Sequence, residues 1–183
     1  MIPTPVNILI QCQNGDREAF RSVVRNYQRM VFSLALKMLA DEDDAKDVVL
    51  ETFIRAWQKI GGFDVQRSFA TWLYTIASRL CLDHIKRGRR LVPLPDDESV
   101  LHRFAAETDS QRTLENREWV SIVRLMAADL SPKQRLVFTL CQLEGLSSDE
   151  VEKITGLNAR QVKSNLYAAR QTSREQLKQL GYD

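Results

Sequence analysis

Glycine and proline are scarce, 7 and 5 in 183 residues, which excludes a collagen-like or low-complexity chain. Cysteine is scarcer still. Cys12, Cys81 and Cys141 are far apart and odd in number, with no C-x-x-C pair. The two histidines, His84 and His102, add no zinc-ligand spacing. No metal site is expected, and the thiols are read as reduced, at least two of them buried as small hydrophobes. Gly-rich phosphate loops, a G-x-S-x-G elbow and H-E-x-x-H are all missing, so neither a catalytic constellation nor a cofactor is expected. No stretch of 18 apolar residues is present to span a membrane. The N-terminal Met1-Ile2-Pro3-Thr4-Pro5 lacks a basic region, and Gln11, Gln13 and Asn14 break the apolar run that follows. A secretory signal is therefore not expected, and the chain is placed in the cytoplasm.

What is present is helical spacing nearly throughout, with little strand alternation. A short helix is expected over 5–13, ending at Gly15. Asp16 caps a second, to about Ala40, with Phe20, Val23, Val24, Tyr27, Val31, Leu34, Ala35 and Met38 recurring at threes and fours. The Asp41–Asp44 stretch supplies caps for a third, to about Ile60, closed by Gly61-Gly62. Ser68 caps a fourth, from Phe69 to about Lys86. The prolines of Val92-Pro93-Leu94-Pro95 forbid an internal helix, and residues 91–110 read as an acidic linker with one helical turn near Val100–Ala106. From Gln111 a stripe of Leu114, Trp119, Val120, Val123 and Met126 runs to Leu130. Three capped starts follow. Ser131-Pro132 opens a helix to Gly145, Ser147 one from Ser148 to Thr155 ending at Gly156, and Asn158 one to about Leu180. The expected fold is all-α: two small helical domains, 1–90 and 111–183, joined by the linker 91–110.

Net charge is only +2; its distribution is more informative. Residues 41–51 set six acids against Lys46 alone. Residues 79–90 set Arg79, Lys86, Arg87, Arg89 and Arg90 against Asp83. The linker is acidic again, and residues 159–174 carry Arg160, Lys163, Arg170 and Arg174 with no acid. Two basic blocks around an acidic segment suggest two meeting places for a polyanion. Each could also be a solvated helix face.

The last two helices, a short one, a glycine turn and a longer basic one, form a helix-turn-helix pattern. Val151, Ile154 and Leu157 can pack on Val162, Leu166 and Ala169. That leaves Arg160, Lys163, Ser164, Tyr167 and Arg170 on an outward sector suited to a major groove. Further upstream, Asp44, Asp47 and Glu51 share one face of the third helix. No neighbouring residues complete a cation site or an acid–base site, so a docking surface for a basic partner is the simpler use. Phe63, Phe69, Trp72 and Tyr74 precede the first basic block. Phe63 and Phe69 read as core. Trp72 and Tyr74 could equally be core or stack on unpaired bases.

The run from Asp44 to Trp57 resembles a signature of bacterial sigma factors. Phe69-Ala70-Thr71-Trp72-Leu73-Tyr74-Thr75-Ile76-Ala77 is similar to a second family segment, and Leu82-Asp83-His84-Ile85-Lys86-Arg87 to a third. Glu144-Gly145-Leu146-Ser147 with Val162-Lys163-Ser164 and Ala169-Arg170 resembles a fourth. Their order and spacing, with only two modules, resemble an extracytoplasmic-function sigma factor, of the sigma-70 family's group 4.

The resemblance implies a non-enzymatic subunit that binds bacterial core RNA polymerase and directs it to promoter DNA. It implies a region 2-like domain over 1–90 and a region 4-like domain over 111–183. Asp44, Asp47 and Glu51 would meet the polymerase clamp. Trp72, Tyr74, Arg79, Asp83, Lys86, Arg87, Arg89 and Arg90 would meet the −10 element. Arg160, Lys163, Ser164, Tyr167 and Arg170 would read the −35 element. An anti-sigma factor would hold the chain inactive, at times tethering it at a membrane. Departures from the family pattern are Leu50 in place of a usual Gln and Arg79 in place of a common Asn. Asn165 and Ala168 stand where arginines are frequent, which predicts a weaker or altered −35 preference. The alternative reading is a stand-alone helix-turn-helix regulator that binds duplex DNA without polymerase.

Overall fold

The structure is a computed structural model and describes residues 4–88 and 129–179. Among these residues every regular element is a helix. Helix α1 (Val6–Gln13) leads into α2 (Arg17–Leu39), which opens where the Asp16 carboxylate accepts the N–H groups of Glu18 and Ala19. Asp41 does the same for Asp43 and Asp44 at the start of α3 (Glu42–Lys59). Three further acids in the first turn of α3 favour the positive end of its dipole. A 3₁₀ turn (Ile60–Gly62) closes α3, and the Gln13 amide donates to the Ile60 and Phe63 carbonyls at 3.0 and 2.7 Å, fastening α1 to that turn. Ser68 caps α4 (Phe69–Arg87), which ends at Gly88.

Helices α2, α3 and α4 pack on one another around Tyr27, Leu34, Met38, Phe53 and Leu73. Each large apolar side chain buried there contributes about 1.5–3 kcal/mol. Phe63 and Phe69 are buried, edge to face at 5.3 Å, as the sequence predicts. Trp72 lies over both rings, at 4.8 and 5.4 Å, and keeps partial access to solvent.

The second group of helices begins at α5 (Pro132–Phe138), whose Ser131 and Gln134 form a reciprocal capping box with Pro132 in the first turn. Here the structure departs from the expected single helix to Gly145. After Phe138 the chain widens into a π-helical turn, Thr139–Leu143. The Glu144 N–H reaches the Thr139 carbonyl at 2.9 Å, and Leu146 N–H reaches Leu140 at 3.0 Å across Gly145. Helix α6 (Ser148–Thr155) opens with the Ser147–Glu150 capping box and ends at Gly156. Helix α7 (Ala159–Gln179) opens with reciprocal Asn158–Gln161 bonds.

The two groups share one core. Leu136, Val137, Leu140, Val151, Ile154 and Val162 belong to the same continuous apolar cluster as the residues of α2–α4. Helix α6 packs on α4, and the π turn on α2. The linker, the helical turn expected near Val100–Ala106, and the stripe from Leu114 to Met126 lie outside the described residues. None of the described helices is long and apolar enough to cross a membrane.

Candidate functional site

The acidic face of α3 is less uniformly anionic than its sequence suggests. Asp44 lies 3.3 Å from His84 Nε2 on α4. Glu51 pairs with Arg55 one turn on. Lys46 sits between Glu42 and Asp43, at 3.2 and 3.5 Å. Asp47 remains exposed, without a hydrogen bond or ion pair among the described residues. Partial desolvation, then the charge of Asp44, raises its pKa above the ordinary carboxylate value, with smaller pushes from Asp43 and Glu51 and an opposing pull from His84. No cluster of His, Cys, Asp or Glu able to hold a metal ion occurs among the described residues.

Helix α4 sorts its candidates by angle. At about 100° per residue, Trp72, Arg79, Asp83 and Lys86 fall on a single stripe, with Arg87 beside it. Arg79, Lys86 and Arg87 are exposed, while Trp72 and Asp83 are half-buried. Arg89 and Arg90 lie outside the described residues. Tyr74, two residues on from Trp72, is turned by about 200° and only 6% exposed. Its hydroxyl donates to Glu144 Oε2 at 3.0 Å. Burial, then the Glu144 charge, pushes its phenol well above the usual range. Tyr74 thus stands apart from the stripe that carries the other −10 candidates. The residue packs toward the second group of helices, away from the outward stripe.

On α7 the expected outward sector is present. Arg160, Lys163, Ser164, Tyr167 and Arg170 are all exposed, Tyr167 by 66%. The opposite side buries Val162 and Ala169 with Val151 and Ile154 of α6, and Leu157 and Leu166 pack against them. The sector carries three cations and no acid, so it can meet phosphates while the hydroxyls of Ser164 and Tyr167 reach base edges. Asn165, one of the departures noted in the sequence, donates back to the Gln161 carbonyl at 2.8 Å.

Sequence reasoning missed one cluster. The Glu144 side chain, 10% exposed, accepts from Ser33 Oγ at 2.9 Å and from Lys37 Nζ at 2.7 Å, both on α2, and from Tyr74 on α4. Beside it Arg135 Nη1 donates to the Met38 carbonyl at the end of α2, at 2.9 Å. Glu144 stands in a motif the sequence singled out, but no local spacing links it to residues 70 to 111 positions earlier.

The family model described as Sigma-70 region 2 matches residues 23–91, and that described as Sigma-70, region 4 matches residues 121–172. The chain is 30% identical over 182 residues to the ECF RNA polymerase sigma factor SigW of Bacillus subtilis, covering 93% of this chain and 95% of that one. It is 31% identical over 170 residues to the ECF RNA polymerase sigma-E factor of Haemophilus influenzae, covering 87% of each. Among solved structures, CnrH in complex with the cytosolic domain of CnrY shares the fold, with a TM-score of 0.68 and 24% identity over 94% of this chain and 96% of that one. The sigma factor RpoE of Bartonella quintana, solved with the anti-sigma factor NepR, does so with a TM-score of 0.63 and 22% identity over 87% and 96%. With both regions in this order and likeness running nearly end to end, the chain belongs to the ECF RNA polymerase sigma factors.

Proposed function

We propose that this sigma factor divides promoter recognition between residues 1–90 and 111–183, with 91–110 as the acidic linker. The α3 face would dock on a basic surface of core polymerase, with Asp47 dominant because Glu51 is already paired with Arg55 and Asp44 lies against His84. The α4 stripe of Trp72, Arg79, Asp83 and Lys86, continued by Arg87, Arg89 and Arg90, would meet the −10 element. The α7 sector of Arg160, Lys163, Ser164, Tyr167 and Arg170 would read the −35 element in a major groove. The protein would act in the cytoplasm without catalysis of its own. As RpoE of Bartonella quintana was solved with the anti-sigma factor NepR, an anti-sigma partner would hold this chain in check.

The observation that carries this reading is Asp47, an exposed carboxylate with no hydrogen bond or ion pair among the described residues, on a helix whose other face is core. The test is binding to bacterial core RNA polymerase, wild type beside Asp47→Arg. Charge reversal at a docking surface should weaken binding at least about tenfold, equivalent to about 1.4 kcal/mol. Binding of duplex DNA through α7 should be unchanged. Equal binding by both proteins would refute the role of Asp47. Absence of core binding by the folded wild type, with tight binding to duplex DNA, would favour the stand-alone regulator.

A further inference from the structure

The Glu144 cluster lies apart from the α3 face, the α4 stripe and the α7 sector assigned above to polymerase and DNA. It sits where the two groups of helices meet, and each of its bonds crosses that boundary. One carboxylate, almost withdrawn from solvent, receives an ammonium and two hydroxyls from α2 and α4. Bonds of this charge-assisted kind are short and about twice as strong as neutral ones. Lys37 is itself only 22% exposed, and it also donates to the Leu143 carbonyl at 3.3 Å. The π turn is the device that delivers Glu144. Its wider helical turn departs from the plain α-helical course the sequence suggests and carries residue 144 to the α2–α4 seam. Arg135 adds a guanidinium at the carbonyl end of α2, where the helix dipole favours a cation.

The closed arrangement is at odds with reading two promoter elements at once. Elements centred near −10 and −35 lie about 25 base pairs apart, roughly 85 Å at about 3.4 Å per base pair. A globule of this length has a radius of gyration of about 16 Å and a diameter of about 40 Å. The α4 stripe and the α7 sector are both exposed, yet while α6 stays on α4 they cannot occupy both elements together.

We propose that Glu144, with Lys37, Ser33 and Tyr74, forms an intramolecular latch that holds the free sigma factor closed and must open before both promoter elements are read. This rests on the assignment of the two DNA surfaces made above. Because only the opened form is competent, the latch lowers apparent affinity for polymerase by the open fraction. Polymerase is then the ligand that selects the open chain.

The test measures distance and affinity in the same variants. Spin labels at the exposed positions Gln66 and Glu175, in a Cys141→Ser background, report the separation of the two groups of helices. Wild type should give one distance distribution within about 40 Å. Glu144→Gln keeps the shape but removes the charge, and should add a population at longer distance. Tyr74→Phe should do so more weakly. The exchange Lys37→Glu with Glu144→Lys should restore the short distance, which separates a latch from a folding defect. Apparent affinity for core polymerase should rise at least about fivefold in Glu144→Gln and return toward wild type in the exchange. Long distances in wild type, or no lengthening in Glu144→Gln, would overturn the latch. Lengthening without a gain in affinity would overturn its inhibitory role. Distances as expected with no core binding by any variant would uphold the latch and refute the polymerase assignment instead.

Discussion

At the scale of single residues, the core holds polar groups whose behaviour follows from their surroundings. Thr52 is fully buried on α3, and its hydroxyl has no hydrogen-bond partner among the described residues. Thr52→Val removes that unsatisfied oxygen with little change of shape. It should stabilise the fold by about 1–2 kcal/mol, read as a higher denaturation midpoint. Cys81 is wholly buried on α4, and burial pushes its thiol from 9.0 up to about 12. Cys12 is pushed up to about 11, by burial first and then by the charge of Asp16. Neither thiol is a thiolate near neutrality, so Cys81 has none of the reactivity a redox handle on α4 would need. The same shifts set a pH dependence. Above 9.0 the unfolded chain releases thiol protons that the folded chain retains, so this part of the stability is whole below 9.0 and is lost as pH rises toward 11 and 12. Urea midpoints should fall over that alkaline range, and the fall should be shallower in Cys81→Ala. An unchanged slope would contradict the burial of the thiol.

At the scale of the element, most boundaries were legible because their causes are local. Asp16, Asp41, Ser68, Ser131, Ser147 and Asn158 lie where the sequence places caps, and each accepts N–H groups two or three residues ahead. Gly156 closes α6 at φ 72°, in the left-handed region. An added Cβ there would meet nothing within 4 Å among the described residues, so the cost of Gly156→Ala is backbone strain, about 1–2 kcal/mol. Thermal unfolding should show the loss, and a neutral result would mean that the turn between α6 and α7 adopts another conformation. The π turn was not legible. Thr139–Leu143 carries no Gly or Pro to mark a break, and the widening places Glu144 against partners far away in sequence.

At the scale of the whole molecule, the apolar cluster runs without interruption from α2–α4 into α5–α7. Two families of helices that share a core should unfold together. Calorimetry of the free protein should therefore give one transition whose calorimetric and van't Hoff enthalpies agree, and Glu144→Ala should split or broaden it. Two resolved transitions in wild type would show that the shared core does not couple the groups.

The sequence by itself determined the described helices apart from the π turn, their caps, the acid-rich face of α3 and the outward sector of α7. Each depends on residues within a turn or two of one another, where a period of 3.6 makes neighbours predictable. Only the tertiary structure decided which way Tyr74 turns, which acids of α3 keep an uncompensated charge, and that Glu144 meets Ser33, Lys37 and Tyr74. Those outcomes depend on contacts between residues up to 111 positions apart, and periodicity along one helix carries no information about which other helix will cover its second face.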